Sequence, residues 1–256
     1  MLEGAWLYVW LGLAALAAGC VNSIAGGGTL LTFPALLAVV SPVVANGTST
    51  VALVPGSVSA AWGFRRDLHA VRRWIPLLIV PSLVGGYAGS RLVTQLDPRY
   101  FDALVPWLVL SAAVLFLIQP FLPVRAEGKQ KERRKGMIVL LILMQFLVAV
   151  YGGYFGAGIG ILMLSTLGLM GLSDIYAMNG LKNFLAACIN GISVLVFAFD
   201  RVVEWRFVAV MAPAAVVGAY GGSRLAQRID RRIVRGIVVC IGFGLAGYYF
   251  YKRWLG

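Results

Sequence analysis

Two glycine-rich stretches are the part of this sequence whose spacing could do chemistry. Residues 26–28 precede an apolar stretch over 29–40, and residues 152–158 precede a second apolar stretch over 159–169. Each apolar stretch is too short for an ordinary membrane crossing. A short helix that begins inside a membrane presents backbone N–H groups and the positive end of its dipole, and glycine lets a ligand approach that backbone closely. The stretches predict an anion-binding site, with glycine-mediated helix packing as the alternative.

Polar residues on the helices that follow could complete this site. Asn46 and Thr50 share a face of one helix, and Asn179, Lys182 and Asn183 share a face of another. Lys182 lies well inside an apolar region, where it suits an anion unless its side chain extends to the membrane surface. The amides and hydroxyls could instead bond neighbouring helices. The candidate substrate-binding residues are Asn22, Gly26, Gly27, Gly28, Thr29, Asn46, Thr50, Gly158, Gly160, Asn179, Lys182 and Asn183.

No catalytic or metal-binding pattern accompanies these residues. The sequence has no His-Glu-x-x-His, Cys-x-x-Cys or Walker lysine pattern, and the single histidine, His69, lies in a basic stretch. The acidic residues all fall at predicted loops or helix ends. Cys20, Cys188 and Cys240 lie far apart in apolar segments, which suits neither a zinc site nor a disulfide framework. We therefore expect a protein that is not an enzyme and that uses no cofactor or metal.

The composition places the candidate residues in a lipid bilayer. Hydrophobic residues make up 60% of the 256 residues and charged residues 12%, whereas soluble domains average about 45–50% and about 25%. No charged residue occurs between Glu3 and Arg65. The net charge of +12 is typical of basic cytoplasmic loops and does not require nucleic acid. The sequence predicts an all-α polytopic membrane protein without a nucleic-acid partner.

Eight long helices and a basic linker are expected to position the site. Residues 16–20 resemble a lipoprotein cleavage site, but the absence of a positive charge before them favours a retained first helix. The linker 123–136 separates a first transmembrane repeat, 1–122, from a second, 137–256. The long helices are predicted at 6–24, 42–64, 74–95, 101–122, 137–155, 174–199, 205–227 and 232–254.

The two halves of the sequence repeat each other. A shift of 133 residues aligns Asn46-Gly47 with Asn179-Gly180, and residues 85–92 with 218–225. Each repeat would contain four long helices and one short glycine-broken helix. If the short segments complete a crossing, the repeats are inverted, with five segments each. If they do not, eight crossings and parallel repeats result.

The charges of equivalent loops favour the inverted arrangement. Residues 65–73 carry four Lys and Arg and their equivalents at 200–206 carry two, whereas 91–99 carry two and 224–235 carry five. Inverted repeats must exchange this bias because only one side of the membrane is cytoplasmic. We therefore expect a cytoplasmic linker, with both termini on the opposite side.

Three motifs resemble those of a known family. Residues 22–34, Asn-Ser-Ile-Ala-Gly-Gly-Gly-Thr-Leu-Leu-Thr-Phe-Pro, the segment Asn46-Gly-Thr-Ser49 and the Gly-Gly-Tyr-x-Gly-Ser-Arg-Leu ending at Leu92 are similar to the sulfite exporter TauE/SafE family, also called the 4-toluene sulfonate uptake permease family. The resemblance covers essentially the whole chain. It implies a multi-pass carrier in the bacterial cytoplasmic (inner) membrane, with sulfite, sulfoacetate and aryl sulfonates among the family's assigned substrates.

The preferred hypothesis is a secondary or facilitated transporter of small anions, most of all organosulfonates or sulfite, with its site at the midplane between the repeats. The alternatives are a membrane assembly subunit that does not transport and an intramembrane lipid-handling protein. The partners expected are a small anionic substrate and the lipid bilayer. The sequence leaves open the exact substrate, the direction of transport, the coupling ion and whether the chain forms a homo-oligomer.

Overall fold

The computed structural model describes residues 2–24, 27–63, 65–118, 135–169, 172, 174–225 and 231–255, and within these ranges it is helical with no strand. The eight long helices and both short ones are present close to their predicted positions. The α-helices are α1 (Leu2–Ile24), α2 (Thr29–Leu37), α3 (Pro42–Gly63), α4 (Arg65–Val71), α5 (Ile75–Gln95), α6 (Pro98–Ile118), α7 (Lys135–Tyr154), α8 (Ile159–Leu169), α9 (Ile175–Phe199), α10 (Trp205–Leu225) and α11 (Arg231–Leu255).

Residues 65–73, predicted as a loop, are instead α4 followed by a 3₁₀ turn over Arg72–Trp74. Their arginines suggested a solvated connection. A helix, however, places Leu68 and Val71 on one side, where they pack into the apolar cluster formed mainly by α9 and its neighbours. Only the polar side of this segment is exposed, which a count of charges does not reveal.

Several helices are suited to a membrane by their own length and composition. Within the described ranges four are long and apolar enough to cross one: Gly4–Ser23, Leu68–Gln95, Pro98–Ile118 and Ala177–Phe199. The prediction of eight such helices is therefore met only in part. Helix α3 falls short because it carries the buried polar residues Asn46, Thr48, Ser49 and Ser57. Such residues are tolerated where a helix is surrounded by other helices rather than by lipid.

Helix α1 packs along α10, and small residues hold the two backbones together. Gly12 near the start of α1 faces Val210 near the start of α10. Towards the helix ends, a Cβ atom added at Gly222 would lie 2.6 Å from the Cα atom of Cys20. The residue numbers rise together, so the two helices are parallel, and no larger side chain fits between them at Gly222.

Helix α5 packs along α7 in the same manner. The two are linked by a buried hydrogen bond of 2.9 Å from Gln145 to Ser82, and Gly89 lies against the last turn of α7. These helices are also parallel. At the end of α5, Arg91 Nη1 lies 2.9 Å from Asp200 Oδ2, just beyond α9, so α5 and α9 end at the same level.

The beginning of α3 is where three other segments meet. The backbone N–H of Glu204, at the start of α10, donates to Thr48 Oγ1 at 2.9 Å. Nearby, Asn46 Nδ2 donates to the carbonyl oxygen of Tyr154, the last residue of α7, at 3.0 Å. Helices α3 and α10 therefore begin where α7 ends. As a result, α1, α3 and α10 run in one direction, and α5, α7 and α9 in the other.

Candidate functional site

A cavity of about 40 Å³ lies where α1, α3, α9 and α10 meet the first residues of α2 and α8. This volume holds about three water molecules. Most of its wall is hydroxyl, amide or backbone, and Lys182 is the one charged residue among the described residues that line it. The lining residues are Gly19, Asn22, Ser23, Thr29, Thr50, Leu53, Gly56, Ser57, Gly156, Ile159, Gly160, Lys182, Asn183, Ala186, Asn190, Ala215 and Ala219.

Both short helices begin at this cavity. Thr29 is the first residue of α2, and Ile159 and Gly160 are the first two of α8. The preceding backbone has φ of 146° at Gly27 and 77° at Gly156, values that side-chain-bearing residues rarely adopt. The first turn of a helix leaves N–H groups without intrahelical partners and carries the positive end of the dipole. The two helix starts therefore make the cavity favourable for an anion.

Asn22 holds the first break in place. Its Oδ1 atom accepts a 3.2 Å hydrogen bond from the backbone N–H of Gly27, and its Nδ2 atom donates to Ser57 Oγ at 3.3 Å. Ser57 in turn donates to the carbonyl of Leu53 at 3.2 Å. One side chain thus links α1, the broken segment and α3, and it leaves its amide at the edge of the cavity.

Lys182 lines the cavity and is only 4% exposed. The alternative in which its side chain extends to the membrane surface is wrong, because a lysine that did so would be largely exposed. Its position 133 residues earlier is Ser49, which is fully buried and lies 2.6 Å from Thr32 Oγ1. The two equivalent positions therefore differ in kind: the hydroxyl fastens α2 to α3, and the ammonium group provides the charge.

The structure brings six of the sequence-predicted residues together around the cavity: Asn22, Thr29, Thr50, Gly160, Lys182 and Asn183. The others lie elsewhere. Gly27 and Gly158 shape the backbone before each short helix, and Gly28 packs against the carbonyl of Ala18. Asn46 bonds to the end of α7, and Asn179 does not line the cavity. Gly26 lies outside the described residues.

The site also contains residues that the sequence interpretation omitted. Ser57 and Asn190 lie seven positions after Thr50 and Asn183, on the same helical faces, so their spacing could have identified them. The α10 wall, formed by Ala215 and Ala219, gives no such signal because alanine carries no functional group.

The fold and cavity define a multi-pass helical membrane protein with a polar, positively charged internal site, which is the class to which membrane transporters belong. The family described as Sulfite exporter TauE/SafE matches residues 11–249, and the chain belongs to this family. The resemblance seen in the sequence motifs is confirmed.

Curated relatives support the same class. The chain is 28% identical over 240 residues to a "Probable membrane transporter protein" of Haemophilus influenzae, covering 92% of this chain and 91% of the relative. It is 30% identical to "Probable membrane transporter protein ORF9" of Sinorhizobium sp, covering 94% and 91%. It is 29% identical to "Probable membrane transporter protein YfcA" of Escherichia coli K12, with the same coverage. No solved structure matches the chain. The protein is a membrane transporter, whose class implies a small-molecule substrate.

Proposed function

We propose that this protein is a secondary or facilitated carrier of small anions, most of all sulfite or organosulfonates, and that the cavity is the substrate site. The observation that carries the proposal is the convergence of the buried Lys182 and the starts of α2 and α8 on one cavity. Sulfite and sulfonate oxygens accept charge-assisted hydrogen bonds from an ammonium group and from helix N-termini. The family description, sulfite exporter, agrees with this chemistry.

Inverted repeats would give the carrier its two access states. Support comes from the helix pairs: α1 packs on α10, and their equivalents 133 residues away, α7 and α5, pack on each other. The equivalent helices α1 and α7 run in opposite directions. Three equivalent pairs also line the cavity together, namely Thr50 with Asn183, Leu53 with Ala186, and Ser57 with Asn190. A site shared by two inverted halves is the usual basis of alternating access.

The proposed topology places the linker 123–136 in the cytoplasm and both termini on the other side of a bacterial inner membrane. Single cysteines at Gly128 and Gly256, introduced after replacement of the three native cysteines, would test it with an impermeant thiol reagent. We expect Gly128 to be labelled only after the membrane is opened and Gly256 to be labelled in intact cells. Labelling of both from one side contradicts the inverted arrangement.

The function is tested by thermal unfolding of the purified protein with sulfite, several sulfonates, sulfate, carboxylates and amino acids. At about 100 times its dissociation constant a ligand stabilises the protein by about 2.7 kcal/mol, a rise in Tm of about 5–10 °C for a chain of this size. Proteoliposomes loaded with the stabilising anion would then measure its movement. An absence of stabilisation by every anion in the panel refutes the proposal and favours the membrane assembly subunit.

A further inference from the structure

We infer that the cavity is a size filter that admits compact oxyanions and rejects aryl sulfonates, and that Leu53 sets its upper limit. The inference rests on the proposed function and narrows its substrate class. The cavity of about 40 Å³ has room for about three water molecules. That space matches the three oxygens of sulfite or of a sulfonate head group, and it leaves none for a benzene ring.

One wall of the cavity is unable to widen through side-chain motion. It consists of Gly19, Gly56, Ala215 and Ala219, which have no side-chain rotamers. The backbones there are already in contact. A Cβ atom added at Gly19 would collide with the carbonyl of Ala215, and one added at Gly56 would lie 3.5 Å from the Ala219 Cβ atom. Enlarging the cavity on this side requires α1, α3 and α10 to separate.

The opposite boundary contains two large apolar side chains, Leu53 and Ile159. Ile159 is 8% exposed and is held against Gly152, where its Cδ1 atom occupies the space of a missing Cβ. Leu53 is 5% exposed, and its equivalent across the cavity is Ala186. Shortening Leu53 therefore frees space next to the polar groups without removing one of them, and lengthening Ala186 fills it.

The experiment measures the dissociation constants of sulfite, methanesulfonate, ethanesulfonate, benzenesulfonate and 4-toluenesulfonate for the purified full-length protein. The proteins compared are the wild type, Leu53→Ala, Ala186→Leu and the control Leu195→Ala, whose side chain is 65% exposed on α9. For the wild type and the control we expect benzenesulfonate to bind at least about tenfold more weakly than methanesulfonate. Leu53→Ala should remove most of this difference and leave sulfite binding within about threefold, and Ala186→Leu should weaken methanesulfonate more than sulfite.

Each outcome decides between the inference and the proposed function. Equal binding of methyl and aryl sulfonates by the wild type overturns the size filter and leaves the anion carrier intact. An unchanged preference in a folded Leu53→Ala variant shows that Leu53 does not set the limit. If no anion of the series binds, the proposed function fails, and the size filter fails with it. The wild-type series is decisive even if a variant does not fold.

Discussion

Replacing Lys182 by glutamine tests whether the buried cation contributes to anion binding. Glutamine has a similar length and keeps hydrogen-bonding capacity but removes the charge, so the change isolates the electrostatic contribution. Because Lys182 is only 4% exposed, solvent screens its charge far less than that of a surface lysine. We expect weaker binding of the anion with little loss of folded protein, since an intramembrane cation is itself costly.

The magnitude follows from the contact that the ammonium group would make. A hydrogen bond to a charged group contributes about 1.5–3 kcal/mol. Since about 1.4 kcal/mol corresponds to a factor of ten in affinity, Lys182→Gln should raise the dissociation constant by about 10- to 150-fold. Lys182→Arg should retain part of the affinity, because arginine keeps the charge but presents it in a different geometry.

Isothermal titration of the stabilising anion into the purified variants would measure these constants. Lys252→Gln is a matched control, because Lys252 is an exposed lysine that does not line the cavity, and its affinity should equal that of the wild type. An unchanged dissociation constant in Lys182→Gln would remove this residue from the site and leave the starts of α2 and α8 as the anion-binding elements.

Three further predictions concern the contacts around the site. Gly28→Ala should abolish transport by forcing α2 away from α1, whereas Gly247→Ala, where a Cβ atom meets nothing within 4 Å, should transport normally. The ion pair of Arg91 and Asp200, with side chains 28% and 20% exposed, should show a coupling of about 1 kcal/mol in a double-mutant cycle of thermal stability. Coupling near zero would mean that the pair does not hold α5 to α9. Asn46→Leu should lower the free energy of unfolding by about 1–3 kcal/mol, because it leaves the carbonyl at the end of α7 unpaired, and unaltered denaturant resistance would contradict that role.

Some features were predictable because a single local signal determines them. Glycine before a short apolar stretch indicated where α2 and α8 begin, and a lysine within an apolar region identified Lys182. The helical face of Asn46 was also recognised, but its partner lies 108 residues away at the end of α7. Periodicity shows that a side chain points inward and does not show which inward group it meets.

The α10 wall shows the same limit from the opposite side. Ala215 and Ala219 contribute shape to the cavity without contributing chemistry, so only the packing of α1 against α10 reveals them. Residues 65–71 were misread for a related reason, because two apolar residues within one basic turn are too few to establish a helical period.

The pairing of α1 with α10 also has a consequence for biosynthesis. About 200 residues of chain separate the two helices, and at roughly 5–20 residues per second the ribosome needs about 10–40 s to produce the second after the first. During that interval the small-residue face of α1, including Gly19 and Cys20, has no α10 to cover it. The newly inserted helix must therefore spend this time against lipid or an insertion factor. Truncation before α10 would leave that face permanently uncovered and make the shortened chain a substrate for membrane proteases.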